Sequence, residues 1–152
     1  PSGRFHYGVA AYPEKHEEAP NLEQDIRYFK QKVDNGAEYG VTQLFYDNEH
    51  FYRFRDSVVA AGINVPIVPG LKPLSRKAQL NILPSVFGTE IPQPLVTAIT
   101  EASDEDVKAI GRDHLLAQAD DLARNGVPCV HFYTLGAVDT VCFVANEIFA
   151  KP

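Results

Sequence analysis

Four short runs of β-branched and aromatic residues, at positions 5–12, 41–46, 65–69 and 127–134, are each followed by a segment of helical periodicity. Turn residues bound every run, as they bound buried strands. An alternation of strand and helix repeated four times requires parallel pairing, because a parallel neighbour is reached only through a crossover of a dozen or more residues. The chain is therefore expected to be α/β, with helices packed on a parallel sheet.

The intervening segments carry their own boundary signals. Asn21 caps a helix whose apolar positions Leu22, Ile26, Phe29 and Val33 are spaced by four, three and four, with Gly36 as its C-cap. A second helix starts at Asp47 or Asn48, runs through Phe51, Phe54 and Val58, and ends at Gly62. Ser103, with Asp106 three residues on, opens a long helix as a variant capping box, and Gly126 closes it. A last helix covers residues 138–149. The stretch 70–103 is irregular, interrupted by Pro73, Pro84, Pro92 and Pro94, with short helices expected at 75–83 and 94–102. An insertion after a strand is where a β/α enzyme builds a binding loop.

The two ends of the strands differ in chemistry. One end runs into Tyr12-Pro13-Glu14-Lys15-His16, Tyr46-Asp47-Asn48-Glu49-His50, Gly70-Leu71-Lys72 and Thr134-Leu135-Gly136, all polar or ring-bearing. The other follows plain turns at Asn35-Gly36, Ala61-Gly62 and Asn125-Gly126. Polar loops at one end only suit the active face of a barrel, and four βα units are half of the eight that close one. The expected fold is the second half of a (β/α)8 TIM barrel with an insertion after the third strand; an open flavodoxin-like sheet is the alternative.

A net charge of −6 disfavours nucleic acid or an anionic membrane as a partner. No apolar run approaches the roughly 18 residues that span a bilayer. Cys129 and Cys142 fall in apolar stretches and read as buried thiols of a reducing compartment, so the cytoplasm is the expected location. No charged-then-apolar leader is visible. The chain contains no methionine, which fits a piece cut from something longer.

Two constellations could carry chemistry. Tyr12, His16, Asp25 and Lys32 gather an aromatic face, a histidine, a carboxylate and a cation around the first loop and the helix after it. Such a set suits a nucleotide cofactor, the cations meeting a pyrophosphate and the carboxylate a ribose hydroxyl. The plainer reading is a solvated helix face with an i, i+7 charge pair. Gln43 is an uncharged amide where a strand's core residue is expected; it either bonds a neighbour inside the barrel or faces a ligand with an amide-like edge. Asp47, His50 and His131 match no standard metal spacing, and His131 reads as a satisfied core histidine. Neither a dinucleotide-binding glycine fingerprint nor a P-loop is present.

Six blocks resemble the methylenetetrahydrofolate reductase family, in its order and at its intervals: Val9-Ala10-Ala11-Tyr12-Pro13-Glu14-Lys15-His16, Lys32-Val33-Asp34-Asn35-Gly36-Ala37, Val41-Thr42-Gln43-Leu44-Phe45-Tyr46-Asp47, Tyr52-Arg53-Phe54-Arg55-Asp56, Val65-Pro66-Ile67-Val68-Pro69-Gly70-Leu71 and His131-Phe132-Tyr133-Thr134-Leu135. The resemblance implies a flavoprotein barrel in which FAD takes a hydride from NADH or NADPH and reduces 5,10-methylenetetrahydrofolate to 5-methyltetrahydrofolate. It implies FAD contacts at Tyr12, His16, Ala19, Asp25 and Lys32, and substrate-side positions at Gln43, Gln79, Leu83 and Leu135. A homo-oligomer is expected for the full-length enzyme.

The chain departs from the family pattern in three places. Leu83 stands where many bacterial members have a phenylalanine. Gln31 replaces a common arginine, and Gly136-Ala137 replaces a frequent Asn-Arg, so the arginine expected near the folate tail is missing. The family's catalytic glutamate and its Arg-Gly-Asp stretch belong to the first barrel half, so no catalytic residue is assigned in this chain. Two other readings stand beside this one: a non-catalytic half-barrel that binds nucleotide or folate or self-associates, and a metal-dependent hydrolase using Asp47, His50 and His131.

Overall fold

The computed structural model describes residues 5–150. Its elements run β1 (Gly8–Ala11), α1 (Leu22–Asp34), β2 (Tyr39–Leu44), α2 (Asn48–Ala60), β3 (Ile67–Leu71), α3 (Gln79–Phe87), α4 (Gln93–Glu101), α5 (Val107–Arg124), β4 (His131–Phe132) and α6 (Val138–Phe149). The four strands form one parallel sheet in the order β1-β2-β3-β4. A flavodoxin-like sheet would place its second strand outside the first, so that alternative is set aside. Sequential order with crossovers of uniform hand puts the helices that connect the strands on one face, while α3 and α4 pack with Leu44 and Tyr46 at the end of β2.

Local signals fix the first two helices. Asn21 Oδ1 accepts the Gln24 N–H at 2.8 Å, and Asp47 Oδ1 accepts the Glu49 N–H at 3.0 Å, each satisfying an orphan donor of a first turn. Ile26, Phe29, Phe54 and Val58 then meet Ala11 and Ile63 in a core beneath β1 and β2. A second core joins Phe45, Phe51 and Leu71 to Leu115, Ala119 and Leu122 of α5 and Val144 of α6. A third lies over the end of β2, where Leu44 and Tyr46 pack against Leu83 of α3, Leu95 and Ile99 of α4, and Val107. The insertion thus roofs the sheet at its C-terminal end. Gly111 lets α5 approach closely: a Cβ there would overlap the Leu74 carbonyl.

Several expectations are corrected. The outer strands are shorter than 5–12 and 127–134, because each has a neighbour on one side only; Phe5 is 78% exposed. The third strand begins two residues later than expected, and α3 occupies Gln79–Phe87 with Pro84 inside it. Ser103 does not cap α5 directly. It exchanges hydrogen bonds with Asp106 in the turn before Val107, accepting Asp106 N–H at 3.3 Å and donating to Oδ2 at 2.6 Å. Cys129 and Cys142 are both exposed. Cys142 sits on α6, where Val141 and Val144 take the buried face; an all-apolar helix does not announce which side is covered. His131 is exposed as well, because β4 is an edge strand, and its ring rests edge-on against Tyr133 with centroids 4.6 Å apart.

Candidate functional site

A tight loop leaves β1 at its C-terminal end. Lys15 adopts a left-handed φ of 72°, and its ammonium donates to the carbonyls of His16, Glu17 and Ala19 at 3.2, 3.4 and 3.1 Å. Chain reversal turns His16 toward α1, where its backbone N–H donates to Asp25 Oδ2 at 2.8 Å. Asp25 is only 7% exposed, so the reading of a solvated helix face fails at this residue. The His16 ring lies edge-on to Tyr12, centroids 4.7 Å apart.

This arrangement opens onto a cavity of about 790 Å³, lined in part by Tyr12, His16, Ala19, Asp25 and Lys32. All five residues expected to hold a cofactor therefore share one space. Lys32 is exposed, 5.9 Å above the Tyr12 ring, and the single hydrogen bond of its ammonium among the described residues is a long one of 3.4 Å to the Ala10 carbonyl. Its charge is available to an anion. Burial, and then the Asp25 carboxylate, raise the Tyr12 hydroxyl above its ordinary range, so it stays a neutral donor and acceptor.

Gln43 is brought to the same end by an irregularity in β2. The register with β3 shifts between Val41 and Leu44, and Thr42 Oγ1 takes the Gly70 N–H at 2.8 Å. Tyr133, just after β4, reaches across Gly70 to donate to the Thr42 carbonyl at 2.9 Å. Only a glycine permits that reach, since a Cβ at position 70 would meet both the tyrosine ring and the Thr42 carbonyl. Gln43 Oε1 accepts the Leu44 N–H at 3.0 Å, leaving Nε2 free to donate. Gln43, Tyr12 and His16 line a smaller hollow of about 100 Å³ with Val86 and Phe87.

The three candidate metal ligands do not assemble. Asp47 caps α2, His131 is exposed on the edge strand, and His50 instead lies near Glu14 and Glu90. Sequence reasoning gave no role to Glu14 or Lys15; their place at a strand's C-terminal end was the available signal. It also passed over Lys72, which is 3% exposed beyond β3 with Nζ donating to the Pro73 carbonyl at 3.3 Å. Burial, and then nearby Arg76, lower its pKa.

The family model described as methylenetetrahydrofolate reductase matches residues 2–148. The chain belongs to the methylenetetrahydrofolate reductase family. It is 36% identical over 152 residues to the 5,10-methylenetetrahydrofolate reductase of Pectobacterium carotovorum subsp. carotovorum, covering 99% of this chain and 51% of that one. It is 35% identical over 150 residues to the Escherichia coli (strain K12) protein of the same name, covering 97% and 51%. The chain thus spans about half the length of these curated relatives. Among solved structures, an uncharacterized protein from Clostridium thermocellum that binds two copies of 5-methyl-5,6,7,8-tetrahydrofolic acid matches with a TM-score of 0.62 at 16% identity, covering 95% of this chain and 54% of that one. That likeness supports the fold.

In this family member the remaining positions expected on the substrate side are Gln79, Leu83 and Leu135, two on α3 and one in the turn after β4. Gln79 is buried at the start of α3, and its Oε1 accepts Ser75 N–H at 2.7 Å, Ser75 Oγ at 3.3 Å and Arg76 N–H at 3.1 Å. Leu83, one turn on, is packed into the core over β2. Leu135 is 70% exposed with a φ of 36°, in the turn between β4 and α6. Among the described residues no helix is long and apolar enough to cross a membrane.

Proposed function

We propose that this chain is the C-terminal half of an FAD-dependent (β/α)8 methylenetetrahydrofolate reductase, a cytoplasmic homo-oligomer that reduces 5,10-methylenetetrahydrofolate to 5-methyltetrahydrofolate with NADH or NADPH. The observation that carries this reading is the cavity of about 790 Å³ that unites Tyr12, His16, Ala19, Asp25 and Lys32. Its size lies within the range of cofactor sites. Its chemistry also fits: an unpaired ammonium for a pyrophosphate, a buried carboxylate for a ribose hydroxyl, and an aromatic face beside them.

FAD, when bound, would supply the two-electron chemistry that passes a hydride from the nicotinamide to the folate. The chain's own residues bind and orient. Lys32 and His16 would balance phosphate charge. Asp25 holds the His16 backbone with one oxygen, and its other oxygen would accept from a hydroxyl. Ala19, buried and without a bulky side chain, allows close approach. Gln43, its carbonyl oxygen already occupied by Leu44 N–H, would offer its N–H to a substrate acceptor. Gln79 has the same polarity, with its oxygen held by Ser75 and Arg76.

Titration of the full-length enzyme with FAD, followed by flavin fluorescence and by assay with NADH, NADPH and methylenetetrahydrofolate, tests the reading. Stoichiometric flavin and turnover are expected. An enzyme that neither binds FAD nor reduces the folate would overturn it.

A further inference from the structure

Glu14 lies on the cofactor loop two residues after Tyr12, but its carboxylate is engaged elsewhere. The side chain is 10% exposed, and both oxygens are taken. Thr89 Oγ1 donates to Oε2 at 2.8 Å, and the Glu90 N–H donates to Oε1 at 2.6 Å. Both donors lie in the turn between α3 and α4. His50 Nε2, from α2, stands 3.7 Å from Glu14 Oε1 and 3.8 Å from Glu90 Oε2.

Three ligand-type atoms within 4.8 Å of one another resemble a cation site. Arg53 argues against it. A guanidinium can only donate, and it lies 3.0 Å from His50 Nδ1, a contact that favours the tautomer with its hydrogen on Nε2, on the side of the carboxylates. In that tautomer Nε2 has no lone pair for a metal. The cluster is better read as a junction between segments. Among the described residues, the two hydrogen bonds of Glu14 are the side-chain hydrogen bonds that join residues 12–20 to residues 75–101.

We propose that Glu14 is a positioning residue that ties the loop bearing Tyr12 and His16 to the insertion bearing Gln79 and Leu83, setting the cofactor cavity and the substrate side in one register. This rests on the reading of the cavity as an FAD site. Lys15 makes the tie effective. By gathering three loop carbonyls it stiffens the segment between Glu14 and Ala19, so a shift at Glu14 is passed to His16 rather than absorbed.

The test uses Glu14→Ala, Glu14→Gln and Thr89→Val in the full-length enzyme, with FAD affinity read by fluorescence and KM for methylenetetrahydrofolate by assay. Glu14→Ala should weaken FAD binding about tenfold, the scale of a lost buried hydrogen bond, and raise KM, with a smaller change in kcat of the flavin-loaded fraction. Glu14→Gln, which keeps an acceptor oxygen, should recover most of the loss. Thr89→Val lies on the insertion, away from the cavity, yet should weaken FAD about threefold, and its effect should vanish in the Glu14→Ala background. Wild-type affinity in Thr89→Val, or additive losses in the double variant, would overturn the proposal. If Glu14→Ala does not fold, Thr89→Val and Glu14→Gln still decide. A wild-type enzyme that fails to bind FAD sinks the cofactor reading and this one with it; normal FAD binding by every variant sinks only this one.

Discussion

The Asp25 carboxylate accepts the backbone N–H of His16 at 2.8 Å, joining a buried acid on α1 to the loop after β1. A bond between residues nine apart fixes the shape of the loop before any ligand arrives. Asp25→Ala would leave that N–H without its acceptor, at a cost of about 1–3 kcal/mol. Tm should fall by roughly 2–4 °C for each kcal/mol in a chain of this size, with FAD affinity falling alongside. Asp25→Asn keeps an acceptor and should lose less of both. Equal Tm in wild type and Asp25→Ala, by calorimetry, would show that the bond does not hold the loop.

Lys32→Ala should weaken FAD retention without slowing molecules that keep their flavin. The ammonium lies over Tyr12 and has no carboxylate partner among the described residues, so its charge is free for a phosphate. A charge-assisted contact sheltered by a bound ligand contributes about 1.5–3 kcal/mol. Flavin content after dilution is the measurement. Full retention combined with slow hydride transfer would assign Lys32 another role.

Gln43→Ala should leave FAD bound and slow both half-reactions, the folate step more. The amide's N–H is its free side, and losing a hydrogen bond made in the transition state costs on the order of 1–3 kcal/mol, roughly tenfold to a hundredfold in rate. Stopped-flow traces of flavin reduction by nicotinamide, and of reoxidation by methylenetetrahydrofolate, separate the two steps. Unchanged rates in both would return Gln43 to an amide satisfied within its own strand.

Glu14 should leave a signature in the pH dependence of stability. Burial raises its pKa above the ordinary 4.5, outweighing the Glu90 N–H, Thr89 hydroxyl and His50 that favour the charged form, while the Glu90 carboxylate adds to the rise. With the folded pKa above the unfolded one, ionisation costs stability: the penalty is absent below 4.5, grows as pH climbs through the folded pKa, and is constant beyond it. Glu14→Gln removes the titration. Its Tm relative to wild type should therefore be higher at pH 7 than at pH 4, and a difference independent of pH would contradict the assignment. Lys15, His50, Arg53 and Glu90 are the charged or titratable neighbours that line the hollow beside it.

The isolated chain should lack reductase activity and self-associate. Strands β1 and β4 each pair on one side only, leaving open edges with exposed Phe5, Tyr7 and His131 close by. Light scattering coupled to size exclusion should show concentration-dependent oligomers. A monomer that holds FAD stoichiometrically and turns over would contradict this and the half-barrel proposal together.

The sequence by itself determined the order of elements, the caps at Asn21 and Asp47, the parallel sheet and the family. Each depends on residues within a few positions of one another or on motif blocks in a fixed order, so spacing suffices. It also placed Tyr12, His16, Ala19, Asp25 and Lys32 in one group, which the fold delivers to one cavity. Tertiary structure alone decided the environments. Spacing could not tell that Asp25 is buried while Lys32 is exposed, since both lie on one helical stripe and the difference comes from the loop folded over the first of them. Exposure of His131 and Cys142 depends on what lies beside an edge strand and an all-apolar helix. Gln43 lies within a register shift against β3, next to a Thr42 carbonyl bonded by a tyrosine 91 residues away, and neither contact is visible in its own strand. Glu14 finds its partners 75 and 76 residues away, and a contact over that separation is created by packing the insertion against the sheet end, which no local pattern encodes.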